Sequence, residues 1–349
     1  MKTQARTVSE LGEFGLIERL REGLGDQAAV LARHGAPSPL LLGIGDDAAV
    51  WQGDSTAQIA TTDTLVQGVH FPPGADWRDL GWKALAVNVS DVAALGGYPE
   101  YALVTLALPG DFLVEDALAL YRGLAEAGGR FGGAIAGGDV VRASQAVISV
   151  SLIGRPSVDR EGRPVFLRRD AARVGDVIAV TGTLGDAAGG LLLQLGEAGG
   201  EPVSRAFLLD RHRRPQPRLD VGQAAVRLGL RCAIDVSDGL AQDLGHVCRL
   251  SGVSARVRLA ALPLSPALRS VFGERARELA AGGGEDYELL LAGPEQLIED
   301  LAGVVETPIA VIGEVTDDAE HRPRLLDAAG AEVSLASAGW DHFAATRRP

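Results

Sequence analysis

Apolar residues recur at helical spacing in two N-terminal stretches of the chain, residues 11–24 and residues 77–95. The second stretch is followed by Gly96 and Gly97, and glycine commonly ends helices. A further helix is predicted at residues 114–127. The N-terminal half is therefore expected to contain at least three helices.

Shorter apolar segments lie between the helical stretches and predict strands. Strands that alternate with helices are typical of α/β layers, and we expect such layers in both halves of the chain. The predicted strands are residues 40–50 with a glycine-acid turn, 57–62, 101–108, a strand ending at 137–139, 146–153, 176–181, 232–236, 287–291 and 309–315.

A segment rich in Arg, Pro and Gly and without periodicity, residues 154–175, separates the two halves. Domain junctions have this composition, and a chain of 349 residues usually holds about two domains. We therefore predict an N-terminal domain of residues 1–154 and a C-terminal domain of residues 155–349.

Composition excludes several classes of protein. The formal net charge is −13, and no basic run is longer than residues 211–214, which argues against a general nucleic-acid binder. No apolar run is long enough to cross a bilayer, and the first 14 residues lack an apolar signal core, so we expect a soluble, cytoplasmic protein with no membrane partner. Cys232 and Cys248 lack CxxC spacing and are expected to be buried free thiols.

Common nucleotide-binding motifs are also missing. Lys2 and Lys83 are the only lysines, and neither stands in a P-loop or in the strand of a protein kinase. No GxGxxG occurs. A nucleotide-binding site would therefore have to use another arrangement.

Aspartates beside small residues stand at the ends of predicted strands and in one predicted helix. Any one of these motifs alone is explained as a turn or a helix cap. Together, seven converging carboxylates would repel one another unless cations lay between them, and Mg²⁺ prefers such oxygen ligands and bridges them to phosphates. The motifs are Gly45-Asp46-Asp47, Thr61-Thr62-Asp63, Ser90-Asp91, Gly137-Gly138-Asp139 and Asp235-Val236-Ser237-Asp238-Gly239.

These motifs belong to an ordered series that resembles the thiamine-monophosphate kinase family, within the PurM-like, aminoimidazole ribonucleotide synthetase superfamily. The resemblance extends from Gly12 to Phe343. The series is GEF from Gly12, GIGDDAAV from Gly43, TTDTLVQGVHF from Thr61, KALAVNVSDVAALGG from Lys83, GGD from Gly137, AIDVSDGL from Ala233, GGGEDYEL from Gly282 and GWDHF from Gly339.

The resemblance implies a two-domain PurM-like fold of the α/β (α+β) class. Its N-terminal mixed sheet, with helices, is expected to pair in a homodimer, and its C-terminal domain to be α/β. The implied activity transfers the γ-phosphoryl group of ATP to thiamine monophosphate, giving thiamine diphosphate by direct in-line attack. Several Mg²⁺ ions would assist, ATP would be the co-substrate, and a requirement for K⁺ stays open.

The resemblance also implies site residues. Asp47, Asp63, Asp91, Asp139 and Asp238 would be catalytic through the metal ions. A helical tyrosine such as Tyr121 is more often half-buried packing, and a lone histidine after a strand, such as His70, is usually structural or exposed. Packing of a C-terminal loop is the alternative for Trp340. Either Arg168 or Arg169 would contact ATP. The implied sets are Asp47, Thr61, Thr62, Asp63, Asp91, Asp139, Asp235 and Asp238 for metal, Tyr121, Gly138, Asp139, Arg169 and Ser237 for ATP, and His70, Glu285 and Trp340 for thiamine monophosphate.

Two alternative functions stay open. One is another ATP-using synthetase of the superfamily, of the selenophosphate or purine-pathway type. The selenophosphate enzymes carry a reactive Cys or selenocysteine near the N-terminus, whereas the cysteines here are Cys232 and Cys248. The other alternative is a non-catalytic protein that binds cations or nucleotides and uses its Asp-Gly turns structurally.

Overall fold

The computed structural model describes residues 7, 19–20, 22–25, 30, 40–42, 50–51, 57–335 and 339. The chain divides into two compact units. Unit 1 comprises Met1–Val92 and Tyr98–Pro156, and unit 2 comprises Ala93–Gly97 and Ser157–Pro349. Of the predicted first helix, Leu20 and Leu24 are described, and both are helical and buried.

Unit 1 is built on a mixed four-stranded sheet. Its strand order is β3-β6-β4-β5, with β4 and β5 parallel and the other neighbours antiparallel. The mixed N-terminal sheet is therefore confirmed. The elements are β1 (Leu40–Leu42), β2 (Val50–Trp51), β3 (Ile59–Val66), α1 (Trp77–Ala94), β4 (Tyr98–Leu108), α2 (Val114–Phe131), β5 (Ala134–Arg142) and β6 (Val147–Arg155).

Strand β6 shows which face of this sheet is buried. Its residues alternate, with Ile148, Val150 and Leu152 fully buried and the residues between them partly exposed. Helices α1 and α2 pack closely on each other: a Cβ on Gly81 would lie 1.9 Å from the Leu120 carbonyl oxygen, so no larger residue fits there. One face of the sheet is therefore part of a core. The other, open face is covered by described residues only at one end, where Val30 packs with Tyr101, Leu103 and Ile153.

Unit 2 contains a six-stranded sheet of order β10-β12-β9-β13-β11-β14, in which only β11 and β14 pair in parallel. The remaining elements, in chain order, are β7 (Ser157–Val158), β8 (Pro164–Val165), β9 (Val177–Thr181), α3 (Asp186–Gln194), α4 (Pro202–Arg213), α5 (Leu219–Leu228), β10 (Cys232–Asp235), α6 (Leu240–Ser251), β11 (Ser254–Arg258), α7 (Pro266–Phe272), α8 (Ala276–Gly282), β12 (Leu289–Gly293), α9 (Glu295–Val304), β13 (Ile309–Thr316) and β14 (Pro323–Leu326).

The central strands of unit 2 are buried on both faces. Val180 and Ile234 belong to one hydrophobic cluster, while Ala179 and Ala233, their neighbours in the chain, belong to another. Both faces of the sheet are thus covered, which explains why these strands read as continuous apolar runs. The α/β class expected for this half is confirmed.

Two predicted strands differ from those observed. In place of the one strand expected at residues 40–50, Leu40–Leu42 and Val50–Trp51 form two short strands, β1 and β2, which pair antiparallel. The strand expected at 287 begins at Leu289, because Glu285 and Tyr287 have φ angles of 69° and 51°, which an extended strand does not allow. Within the described part of the chain, no helix is long and apolar enough to cross a membrane.

Both cysteines are free and buried, as expected. Burial raises the pKa of the Cys232 thiol to about 12 and that of Cys248 to about 11. At pH 8 both thiols are protonated, and the thiolate is the reactive form.

We expect the native protein to resist a thiol-reactive disulfide reagent at pH 8, and the denatured protein to react at both cysteines. Rapid labelling of the native protein would contradict this.

Candidate functional site

In unit 1, a threonine and an aspartate from two of the predicted metal motifs are in direct contact. Thr61 Oγ1 in β3 donates a hydrogen bond of 2.5 Å to Asp91 Oδ2 in α1. Asp63 lies two residues along the same strand, on the same face and about 7 Å further on. The structure therefore places Thr61, Asp63 and Asp91 at one edge of the sheet, on its helix-covered face.

Thr62 points to the opposite, open face. It lies across from Ser151, whose Oγ donates to Thr62 Oγ1 at 3.1 Å, and Thr62 Oγ1 itself donates to the Val150 carbonyl oxygen at 3.1 Å. Its hydroxyl is thus on the other side of the sheet from Asp91. The predicted role of Thr62 as a metal ligand stays a prediction.

Asp139 is separated from the Thr61, Asp63 and Asp91 group. It is in register with Thr105 and Ser149, on the open face of the sheet, whereas Asp63 is in register with the buried Val150, on the helix-covered face. Strands β3 and β5 are the two edges of the sheet, three strand spacings or about 14 Å apart along it. Unit 1 therefore does not bring all its predicted metal ligands to one point. Asp46 and Asp47 lie outside the described residues.

Packing explains two of the residues assigned to ATP. A Cβ on Gly138 would lie 1.8 Å from the Val104 carbonyl oxygen, so glycine is required by the neighbouring strand. The Tyr121 side chain in α2 is 5% exposed, and burial raises the pKa of its hydroxyl. For both residues the structural explanation is sufficient, and their contact with ATP stays a prediction.

His70 closes the turn that follows β3. Its Nδ1 accepts a hydrogen bond of 3.0 Å from the backbone N–H of Val66. A neutral imidazole in this arrangement carries its proton on Nε2. His70 thus makes a structural contact through Nδ1, and its contact with thiamine monophosphate stays a prediction.

In unit 2, the motif from Asp235 to Gly239 forms the loop between β10 and α6. Asp235 is buried at the end of the strand, and Gly239 has a φ angle of 126°. A Cβ on Gly239 would lie 2.8 Å from the Gly282 carbonyl oxygen, so glycine is needed both for conformation and for space. The loop is packed against residues 282–284.

Asp243, in the first turns of α6, was not singled out by the sequence. Its Oδ2 accepts the backbone N–H groups of Ser237, Asp238 and Gly239 at 3.0–3.1 Å. Burial, followed by the charge of Asp238, raises the pKa of Asp243 to about 7. Among the described residues, Asp238, Asp243 and His246 are grouped closely enough to hold a metal ion.

The structure distinguishes the two arginines considered for ATP. Arg168 is paired with Asp170 at the surface through two hydrogen bonds of 2.7 and 2.5 Å. The positive charge of Arg169, by contrast, acts on His246 and contributes to lowering its pKa, after burial and Arg249. The charge of Arg169 therefore reaches His246 in α6, and which of the two arginines contacts ATP stays open.

Glu285, assigned to the substrate, is held in a strained turn. Its backbone N–H donates to the Ser237 carbonyl oxygen at 2.7 Å, and that of Tyr287 donates to the Val236 carbonyl oxygen at 2.9 Å. Asp286 accepts the N–H groups of Gly185 and Ala187 at the start of α3. Burial raises the pKa of Asp286 well above its usual value. The turn is thus attached to two other segments.

Two further polar contacts join this turn to the end of α4 and the segment after it, and the sequence offered no signal for them. The buried His212 has its Nδ1 3.0 Å from Glu285 Oε2. Arg218 donates to both carboxylate oxygens of Glu288, at 2.6 and 2.5 Å. Residues 212–218 therefore support the turn that carries Glu285. Trp340 lies outside the described residues.

Comparison with known proteins shows the family to which the chain belongs. The AIR synthase related protein, N-terminal domain, matches residues 45–155, and the corresponding C-terminal domain matches residues 173–325. The thiamine-monophosphate kinase of Escherichia coli K12 is 40% identical over 341 residues, which cover 95% of this chain and 98% of that protein. The chain belongs to the thiamine-monophosphate kinase family.

Other members of the thiamine-monophosphate kinase family show the same extent of similarity. The Aquifex aeolicus enzyme is 35% identical over 96% of this chain and 99% of its own. The crystal structure of thiamine-monophosphate kinase from Stenotrophomonas maltophilia K279a has a TM-score of 0.76 at 36% identity and covers 91% of this chain and 96% of its own. AaThiL complexed with AMPPCP and TMP has a TM-score of 0.74 at 32% identity, and the match covers 98% of this chain and 100% of that chain.

Proposed function

We propose that the protein transfers the γ-phosphoryl group of ATP to thiamine monophosphate, giving thiamine diphosphate. The observation that carries the proposal is the similarity, over 98% of this chain, to AaThiL in complex with AMPPCP and TMP. These ligands are an ATP analogue and the phosphate acceptor. Transfer between two phosphorylated molecules needs alignment and charge neutralisation more than a protein nucleophile.

The side chains fit Mg²⁺ as the charge-neutralising group. Thr61, Asp63 and Asp91 offer hard oxygen ligands at one sheet edge, and Asp139 offers another carboxylate about 14 Å along the sheet and on its other face. Such spacing favours several ions over one. When bound, Mg²⁺ would lower the repulsion between the phosphates of the two substrates. Asp47 is included in this proposal by the motif match.

In unit 2, we assign the contacts with ATP to the Asp235–Gly239 loop and to Arg169. Asp235 and Asp238 would hold Mg²⁺, and the Ser237 hydroxyl would donate to a phosphate oxygen. Arg169 is exposed and its charge acts on His246 in α6, the helix that follows this loop, so we assign it to a phosphate of ATP. Tyr121 and Gly138 complete the assignment.

For thiamine monophosphate, we assign Glu285, His70 and Trp340. The Glu285 carboxylate is partly exposed and complements the positive thiazolium ring. His70 can donate from Nε2, because Nδ1 already accepts from Val66. Trp340 would stack on a thiamine ring. We further propose a homodimer formed through the open face of the unit 1 sheet, where Thr62, Thr105 and Val141 are exposed.

The direct test is an assay of thiamine diphosphate formation by the purified full-length protein. We expect product from thiamine monophosphate and ATP only when Mg²⁺ is present, with K⁺ varied in parallel. Thiamine without its phosphate is the matched control acceptor and should give no diphosphate. Folded protein that forms no thiamine diphosphate under any of these conditions would refute the proposal. Activity with selenide or a purine-pathway substrate instead would favour the alternative synthetases.

A further inference from the structure

A single carboxylate oxygen organises the Asp235–Gly239 loop. Asp243 is 2% exposed, and its Oδ2 accepts the N–H groups of Ser237, Asp238 and Gly239, which are three successive residues. Three peptide groups that point at one atom have little freedom to rotate. The directions in which the Ser237 and Asp238 side chains leave the backbone are therefore set by Asp243.

The residue before Asp243 restrains the Asp238 side chain itself. Gln242 Nε2 donates to Asp238 Oδ2 at 3.0 Å. Gln242 and Asp243 are adjacent in α6, so one helical turn fixes both the backbone and the carboxylate of Asp238.

The opposite side of the loop is closed by backbone. A Cβ on Gly284 would lie 2.6 Å from the Ser237 carbonyl oxygen, and Glu285 donates its N–H to that same oxygen. The loop is thus confined between α6 and residues 282–285. Without Asp243 the three N–H groups would lose their shared acceptor, while the contacts on the 282–285 side would stay.

We propose that Asp243 and Gln242 are positioning residues that hold Ser237 and Asp238 in the arrangement needed to bind the metal-bound triphosphate of ATP. The proposal rests on the proposed function, in which Ser237 and Asp238 contact MgATP. Asp243 acts through the loop and does not itself contact the nucleotide. Its loss should weaken the binding of MgATP and leave the recognition of thiamine monophosphate largely intact.

The first experiment compares Asp243→Ala with Asp243→Asn in the full-length protein. Asparagine keeps an oxygen acceptor for the three N–H groups, whereas alanine removes it. We expect Asp243→Ala to weaken calorimetric binding of Mg·AMPPCP at least about tenfold and Asp243→Asn to restore most of that loss, since a lost hydrogen-bond acceptor for several N–H groups has an effect of this order. The KM for thiamine monophosphate should change less than about threefold.

Asp220→Ala is the matched control, because Asp220 is an exposed aspartate in the first turn of α5. It should bind Mg·AMPPCP as the wild type does. The proposal is overturned if Asp243→Ala binds Mg·AMPPCP normally, if Asp243→Asn is as impaired as the alanine variant, or if the KM for thiamine monophosphate rises in parallel with the loss of Mg·AMPPCP affinity.

A second variant keeps the test decisive if Asp243→Ala does not fold. Gln242 is only partly buried, so Gln242→Ala removes the contact with Asp238 without opening a core cavity. We expect a roughly threefold to tenfold loss of Mg·AMPPCP affinity, in line with the loss of one hydrogen bond of ordinary net strength. Gln296→Ala is its control, since Gln296 makes the same contact with exposed Asp300 at 3.1 Å in α9. Unchanged binding by Gln242→Ala would overturn the proposal.

Binding of Mg·AMPPCP also separates this proposal from the proposed function. If the wild type binds Mg·AMPPCP but forms no thiamine diphosphate, the kinase function fails and the binding comparison among the variants still decides the roles of Asp243 and Gln242. If the wild type is active and the variants bind normally, the kinase function stands and the positioning proposal fails.

Discussion

Asp91→Asn is expected to lower kcat by at least about 100-fold, which is the size of effect seen when a group that stabilises transition-state charge is removed. Asparagine is nearly the same shape and keeps an oxygen that can accept the hydrogen bond from Thr61 Oγ1. What it removes is the negative charge that would bind Mg²⁺. The loss should therefore appear in turnover and in the Mg²⁺ concentration required, with little effect on folding.

Steady-state kinetics at saturating ATP and thiamine monophosphate, repeated over a range of Mg²⁺ concentrations, measure this effect. Asp79→Asn is the matched control, because Asp79 lies in the first turn of the same helix and is not among the assigned ligands. We expect it to keep wild-type kinetics. If Asp91→Asn turned over within about threefold of the wild type at every Mg²⁺ concentration, Asp91 could not be a metal ligand in the reaction.

Arg218→Met is expected to destabilise the protein by about 3–5 kcal/mol, the usual cost of leaving one partner of a buried ion pair alone. The Arg218 and Glu288 side chains are 16% and 6% exposed, so water cannot replace the guanidinium well. Thr181 Oγ1 also donates to Glu288 Oε2 at 2.6 Å, but a neutral hydroxyl does not compensate a buried charge. Because Glu288 follows the strained turn, Glu285 should lose part of its support as well.

In a thermal unfolding experiment, this loss of stability should lower the midpoint temperature by roughly 6–20 °C for a unit of this size. Arg256→Met is the control, since the exposed Arg256 side chain lies 3.8 Å from the exposed Glu314 side chain on the neighbouring strand. Exposed ion pairs of this kind contribute about 0–1 kcal/mol. The double variant Arg218→Met, Glu288→Gln should recover part of the lost stability, because it removes the uncompensated charge. A midpoint for Arg218→Met equal to that of Arg256→Met would show that the buried pair contributes nothing.

Local signals in the chain were sufficient for much of the fold. The helices at α1 and α2 and the strands at β4, β6 and β10 lie close to where the spacing of apolar residues placed them. Periodicity and helix-ending glycines report on a few neighbouring residues, so they can be read without knowing the tertiary structure. The two-unit α/β architecture followed from the same signals and from the resemblance.

The pairing of strands could not be predicted from these local signals. Strand β10 pairs antiparallel with β12, about 57 residues away in the chain, although helices alternate with strands as they do in parallel sheets. The separation of Asp139 from Asp63 likewise follows from register, which is shifted by an irregularity between Ala102 and Leu103. A shift of one residue moves every later side chain to the other face.

The sequence by itself determined the family, the α/β class and the residues that carry the acidic motifs, because each of these can be recognised from short contiguous segments. Only the tertiary structure decided which groups hold those motifs in place: Asp243 and Gln242 behind the Asp235–Gly239 loop, and His212 and Arg218 beside the turn at Glu285. A supporting side chain acts through distance and burial, and nothing in its immediate neighbours along the chain distinguishes it from a helix cap or a surface charge.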